Sequence, residues 1–216
     1  NGQPIGYFWG YKTAGIFQNT QEIDEWRAAG NGILQSNVQP GDVRFVDRNH
    51  DGQINDKDKV NLGNGTPDFT LGLNLGFVYK GFDFSIVANG AFGQQIVQSY
   101  RNHTRPTPNY TTAILDRWHG EGTSNRIPRV TDSNINYQFS DLFIQNGDYL
   151  RLSTLTLGYD FAKLFKGKAV SQARLYFQVQ NLFTITGYDG MDPEIGFGSS
   201  NNSWVSGLDY GYYPRP

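Results

Sequence analysis

Residues 69–92 constrain this chain more than any other stretch. Phe69, Leu71, Leu73, Leu75, Phe77 and Tyr79 alternate with Thr70, Gly72, Asn74, Gly76, Val78 and Lys80. Such alternation puts the large apolar side chains on one face of an extended strand and mostly polar or small ones on the other. After a turn of only Lys80-Gly81, the pattern repeats with Phe82, Phe84, Ile86, Ala88 and Phe92 set against Asp83, Ser85, Val87 and Asn89. Two such runs joined by two residues predict a tight antiparallel hairpin with one apolar face.

Two more segments carry the same signal. In 173–185, Ala173, Leu175, Phe177, Val179 and Phe183 alternate with Arg174, Tyr176, Gln178 and Gln180. In 148–161 the apolar phase sits on Leu150 and Leu152, then moves to Leu155, Leu157, Tyr159 and Phe161. A phase switch means either a bulge or a strand passing between two environments. The link 163–172 is short. The other connections, roughly 10–67, 98–147 and 186–216, are long. Short turns alternating with long loops are the pattern of an outer-membrane barrel, although a soluble antiparallel sandwich can also show it. Inside the long loops, Asn19 followed by an acidic first turn predicts a helix reaching Ala29, and 112–118 reads as a second helical stretch.

Composition supports β structure and removes several functions. The 216 residues include 26 Gly, 15 Phe, 13 Tyr and 4 Trp. Only 18% are charged, against about 25% in ordinary domains. With 18 Lys plus Arg and 20 Asp plus Glu, the net charge is −2, which offers no electrostatic footprint for nucleic acid. No Cys is present, so disulfides, thiolate-held metals and a thiol nucleophile are excluded. Mean hydropathy is −0.53, and no run approaches the about 18 apolar residues of a membrane helix. A transmembrane barrel stays open, because its alternating strands average out to polar. No signal peptide is visible, and a chain opening at Asn1 rather than Met is expected to be a piece of something longer.

The sharpest local motif is 47–58. Oxygen-bearing side chains stand at the first, third, fifth, ninth and twelfth positions as Asp47, Asn49, Asp51, Asn55 and Asp58, and Gln53 can add its backbone carbonyl. Gly52 is sixth and Ile54 eighth. That is the spacing of a calcium loop, in which a glycine-centred turn brings hard oxygens round one Ca²⁺. The alternative is a loop rich in Asx turns that uses the same side chains to bond its own backbone. Asp58 has a shorter arm than the Glu usual at the twelfth position.

Other constellations are weaker. His50, His103 and His119 lack zinc spacing, and Asp116 with Glu121 is the sort of carboxylate pair any chain of this size offers. No nucleophile elbow or phosphate-binding glycine loop is present. The triplets starting at Asn102, Asn109 and Asn201 match the glycosylation pattern, a short and unspecific one. The end of the chain gathers Phe197, Trp204, Tyr210, Tyr212 and Tyr213. These aromatics fit stacking on sugar rings or docking a protein partner, and equally an interfacial girdle.

Gly41-Asp42 through Asp51-Gly52-Gln53-Ile54 resembles the "pGD-ykD-N-DG-I" stretch of the SusC/RagA family of TonB-dependent outer-membrane transporters. Pro67-Asp68-Phe69, Arg117-Trp118 and Ile127-Pro128-Arg129 follow in register, then Tyr149-Leu150-Arg151-Leu152 with Leu157-Gly158-Tyr159, Gln180-Asn181-Leu182, Tyr188-Asp189-Gly190-Met191-Asp192-Pro193-Glu194 and Tyr213-Pro214. Each match is short, but their order spans nearly the whole chain.

The resemblance implies an all-β fold, with antiparallel strands forming part of a transmembrane β-barrel with long extracellular loops. It makes 1–216 a C-terminal fragment of a barrel that has about 22 strands in such transporters; the plug, the TonB-contacting box and the last strand would lie outside this fragment. The expected role is part of an importer of oligosaccharides or peptides in a Gram-negative outer membrane, without enzyme activity. The implied partners are a SusD-like surface lipoprotein, the TonB system, the nutrient and membrane lipid; the expected cofactor, Ca²⁺ in the 47–58 loop, rests on the loop's spacing alone. Trp204, Tyr210, Tyr212 and Tyr213 would face nutrient or lipoprotein. The alternative is a soluble extracellular β-sheet module that binds carbohydrate and calcium. With Lys80-Gly81 and 163–172 as periplasmic turns, the long loops lie outside the cell. Odd-numbered residues from Phe69 to Phe77 then face lipid, while Thr70 and Asn74 face the lumen.

Overall fold

The computed structural model describes residues 2–30, 37–99, 112–131, 134–161, 173–195 and 206–210. In chain order the elements are β1 (Tyr7–Gly10), β2 (Thr13–Ile16), α1 (Thr20–Ala28), β3 (Val43–Phe45), β4 (Val60–Asn64), β5 (Phe69–Tyr79), β6 (Phe82–Phe92), β7 (Gln95–Gln98), β8 (Ile144–Asn146), β9 (Tyr149–Asp160), β10 (Arg174–Thr186) and β11 (Leu208–Asp209).

The four alternating segments form one antiparallel sheet in the order β10-β9-β6-β5. Lys80 and Gly81 turn the β5–β6 hairpin with φ of 48° and 94°, the doubly positive geometry that suits a two-residue connection. Register aligns the apolar residues across all four strands: Leu75 opposite Ile86, Ile86 opposite Leu155 and Leu155 opposite Val179. The phase switch in β9 is a bulge. Val87 pairs with Thr154 and Ala88 with Leu152, which leaves Ser153 extra on β9. The irregularity widens on β10, where Asn181 and Leu182 lie between Gln180, opposite Thr154, and Phe183, opposite Leu152. Leu150 and Leu152 therefore stay on the same face as Leu155 and Leu157. The link 163–172 lies outside the described residues.

Nothing among the described residues packs over the apolar face. Leu75 is 53% exposed and Phe177 67%. The apolar core lies instead beyond the end of the sheet away from the Lys80-Gly81 turn, in a head built from the long connections. Phe17, Ile23, Trp26, Val43, Phe45 and Ile54 form one buried cluster there, and Phe8, Val97 and Phe143 a second. The α1 helix starts as its sequence predicts. Asn19 accepts at its side chain from the Glu22 N–H at 2.9 Å, and Glu22 Oε2 accepts from the Gln18 N–H at 2.9 Å. Ile23 and Trp26 are its buried face. The second helical stretch is a short 3-10 turn over Thr112–Asp116.

The head grows out of the sheet itself. The β6–β9 ladder breaks where Asp148 Oδ1 accepts from the Gly93 N–H at 2.7 Å, then resumes as the antiparallel β7–β8 pair. β11 adds in parallel to β7, while β1 pairs with β4 and β2 with β3, both antiparallel. Among the described residues no helix is long and apolar enough to cross a membrane.

Candidate functional site

Two of the short motifs that carry the resemblance meet in the head. Asp42 is 0% exposed. Its Oδ1 accepts from Arg129 Nε at 2.8 Å and from Asn136 Nδ2 at 3.0 Å, and its Oδ2 from the Gln39 N–H at 2.9 Å. Asn136 Oδ1 in turn accepts from the Val43 N–H at 2.9 Å. The pair spans 87 residues of sequence and is held by the Arg129 N–H donating to the Gly41 carbonyl at 2.9 Å. Burying a carboxylate is tolerable only with this degree of pairing.

A second pair of motifs meets on the polar face of the sheet. Arg151 of β9 places Nη2 2.5 Å from Asp192 Oδ1 and Nη1 2.7 Å from Glu194 Oε2, while its Nε donates to Thr184 Oγ1 at 3.0 Å. One guanidinium thus clamps the segment after β10 down onto the sheet, using three of its donors in a fixed fork. Beside it is a cavity of about 370 Å³ lined by Arg151, Asn181, Thr184, Gly190, Asp192 and Pro193. Neither clamp was legible as such in the sequence. Alternation with Leu150 and Leu152 put Arg151 on the polar face, but nothing in the sequence pointed to its partners.

The 47–58 loop sits at the edge of the first core cluster, with Ile54 fully buried in it. Gly52 Nα donates to Asp47 Oδ2 at 3.0 Å, the Asp51 N–H to Asn49 Oδ1 at 3.0 Å, the Gln53 N–H to Asp51 Oδ1 at 2.9 Å and the Lys57 N–H to Asn55 Oδ1 at 3.0 Å. Asp58 is 0% exposed. Its Oδ1 takes the Arg48 N–H at 2.9 Å and its Oδ2 the Asn55 N–H at 2.7 Å. The Asx-turn bonding therefore exists, with all five side chains turned into the loop. The Asn49 amide and then the Gln53 N–H hold the Asp51 carboxyl below its usual range. Among the described residues no group of three carboxylate or imidazole side chains forms a ready-made metal cluster.

The remaining candidates are not gathered. Tyr210 is half-exposed just after β11, whose Asp209 accepts through Oδ2 from the Tyr188 hydroxyl. Trp204, Tyr212, Tyr213, Phe197 and His103 lie outside the described residues. His50 and His119 are exposed. Asp116 is exposed, and Glu121, also exposed, accepts from Asn19 Nδ2 at 2.7 Å.

No family model matches the chain. Among curated proteins it is 33% identical over 225 residues to TonB-dependent receptor P3 of Formosa agariphila, covering 99% of this chain and 21% of that protein. It is 30% identical over 185 residues to TonB-dependent receptor SusC of Bacteroides thetaiotaomicron, covering 85% of this chain and 17% of that one. Among solved structures, the RagAB peptide transporter superposes with a TM-score of 0.66 at 21% identity, over 96% of this chain and 21% of that chain. The chain thus spans about a fifth of the length of the relatives it matches. A soluble sandwich is disfavoured by the same observations, since its apolar faces would have to meet in a core. The uncovered sheet and this similarity, which runs along nearly all of the chain and about a fifth of each relative, place the chain among the SusC-type TonB-dependent receptors.

Proposed function

We propose that the chain forms wall and outer head in the C-terminal part of a SusC-type importer in the outer membrane of a Gram-negative bacterium. One observation carries this reading: a four-stranded sheet with a bare apolar face and a polar opposite face. Lipid tails would cover the first, and the water-filled lumen would wet the second. Tyr79, Phe82 and Tyr159 cluster at the hairpin end, Phe82 and Tyr159 with ring centroids 4.5 Å apart, as an interfacial girdle requires. The Lys80-Gly81 turn then faces the periplasm and the head faces outward.

By analogy with the SusC and RagAB relatives, the cargo is an oligosaccharide or a peptide. A SusD-like lipoprotein would close over the head, and the TonB system would supply energy through the rest of the protein. The aromatic end of the chain would touch cargo or lid. No bond is made or broken in this function, so the chain needs no catalytic group.

The test is deletion of the whole gene in its host, followed by growth on single oligosaccharides and peptides and by membrane fractionation of the tagged intact protein. Loss of growth on one nutrient class, with the protein in the outer membrane, is the expected result. Recovery of the protein in the soluble fraction would overturn the reading.

A further inference from the structure

Asp47 is 5% exposed, and its Oδ1 is buried without any hydrogen-bond partner among the described residues. Its other oxygen accepts from the Gly52 N–H in the middle of the 47–58 loop, so the carboxylate is aimed into that loop. No lysine or arginine among the described residues pairs with Asp47, Asp51 or Asp58, whereas Asp56 in the same loop is neutralised by Lys59 at 2.7 Å. The buried charge on Asp58 is met by several backbone N–H groups. The charge on Asp47 is met by one. A buried carboxylate oxygen with neither donor nor counter-ion is costly.

The other oxygen-bearing groups of the loop bond to one another. Asn49 Nδ2 donates to Asp51 Oδ2 at 2.8 Å, and Asn55 Nδ2 lies 3.5 Å from the same oxygen and 3.4 Å from the Gln53 carbonyl. The side chains of positions three, five and nine and the carbonyl of position seven are thus linked to one another, and position one bonds the Gly52 N–H between them. Gly52 makes the turn possible at φ +77°, where its Cα side lies against the Gly30 carbonyl with no room for a Cβ. These are two independent observations, the spacing and the unpartnered buried oxygen.

We propose that the 47–58 loop binds one Ca²⁺ through Asp47 Oδ1, Asn49, Asp51, the Gln53 carbonyl and Asn55, with water completing the shell. Asp58 holds the loop closed through its backbone bonds rather than by free lone pairs. Ca²⁺ accepts six to eight oxygens in an adaptable shell, while Mg²⁺ demands a near-ideal octahedron that this flexible, mixed set does not offer. The ion would lock Ile54 and Gly52 onto the core that holds α1, and so brace the outer head. This goes beyond the importer reading and stands or falls separately from it.

The experiment is calorimetric titration of the purified intact protein, stripped with chelator, with calcium chloride and then magnesium chloride. Wild type is compared with Asp47→Asn, Asp51→Asn and Asp56→Asn. The expected result is calcium binding in the micromolar to millimolar range, weakened about ten-fold or more by Asp47→Asn and Asp51→Asn and unchanged by Asp56→Asn. Asp51 is exposed, so its variant tests the site without risk to the core. Calcium should also raise the thermal midpoint of wild type and of Asp56→Asn, but not of Asp51→Asn. No calcium heat in wild type at millimolar concentration, or equal binding in all four proteins, would overturn the proposal.

Discussion

Asp83 and Arg174 lie on strands that are not neighbours, and their charged groups meet across Gly158 of the strand between them. Arg174 Nη2 is 2.5 Å and Nε 2.9 Å from the two carboxylate oxygens. A Cβ on Gly158 would fall 2.4 Å from Asp83 Oδ1 and 2.8 Å from Arg174 Nη2. A side chain there would push aside the charged ends that tie β6 to β10 over the middle strand, which favours glycine at this position. Gly158 belongs to the Leu-Gly-Tyr motif of the resemblance, and this ion pair gives that glycine a physical reason.

Gly158→Ala in the intact protein should destabilise it, because the added Cβ would meet the charged ends of Asp83 and Arg174. In an Asp83→Ala background the same change should cost much less, because the obstacle is gone. Denaturant unfolding of the four proteins of this double-mutant cycle measures the coupling. Equal cost in both backgrounds would show that something other than the ion pair demands the glycine.

Asp42→Ala should destabilise the head by about 3 kcal/mol, since Arg129 and Asn136 lose their shared buried acceptor. Arg129→Met combined with Asp42→Ala should cost less than the two single changes added together. Limited proteolysis reports the head separately from the sheet. Faster cleavage within the head of Asp42→Ala, with the sheet intact, is the expected outcome, and unchanged cleavage would refute the clamp.

Leu73→Arg and Asn74→Arg differ by one residue and by face. On the importer reading, Leu73→Arg near the middle of the apolar band should cost about 2–4 kcal/mol in a bilayer, and Asn74→Arg should be mild. Unfolding in lipid vesicles distinguishes them. Similar costs for both would mean that the two faces see the same medium.

Orientation can be read by chemistry. Asp24→Cys on the exposed side of α1 should react with an impermeant thiol reagent on whole cells, and Lys80→Cys at the hairpin turn should not. This chain contributes no native cysteine to the background. Labelling at Lys80 with protection at Asp24 would reverse the assignment of the head to the outside.

The four long strands and the α1 cap were legible because their causes are local. Phe69 and Leu71 share a face whatever surrounds them, and Asn19 can cap only the turn that follows it. The calcium-like loop was legible for the same reason, as a spacing within twelve positions, and the structure adds the orphaned Asp47 oxygen that the spacing cannot reveal. The phase switch at Leu152 to Leu155 announced an irregularity, and backbone pairing alone identified it as a bulge at Ser153.

Local alternation by itself determined where the chain is extended and which side chains share a face, since a strand's side-chain direction follows from backbone geometry. Tertiary structure decided what each face meets and which distant residues pair. The long connections fold into a head around two buried apolar clusters, and distant residues are joined as Asp42 reaches Arg129 and Arg151 reaches Asp192 and Glu194, partners separated by 87, 41 and 43 residues. No periodicity links positions so far apart. The Asp42 pair depends on burial removing the competing water, and that burial exists only once the head has formed.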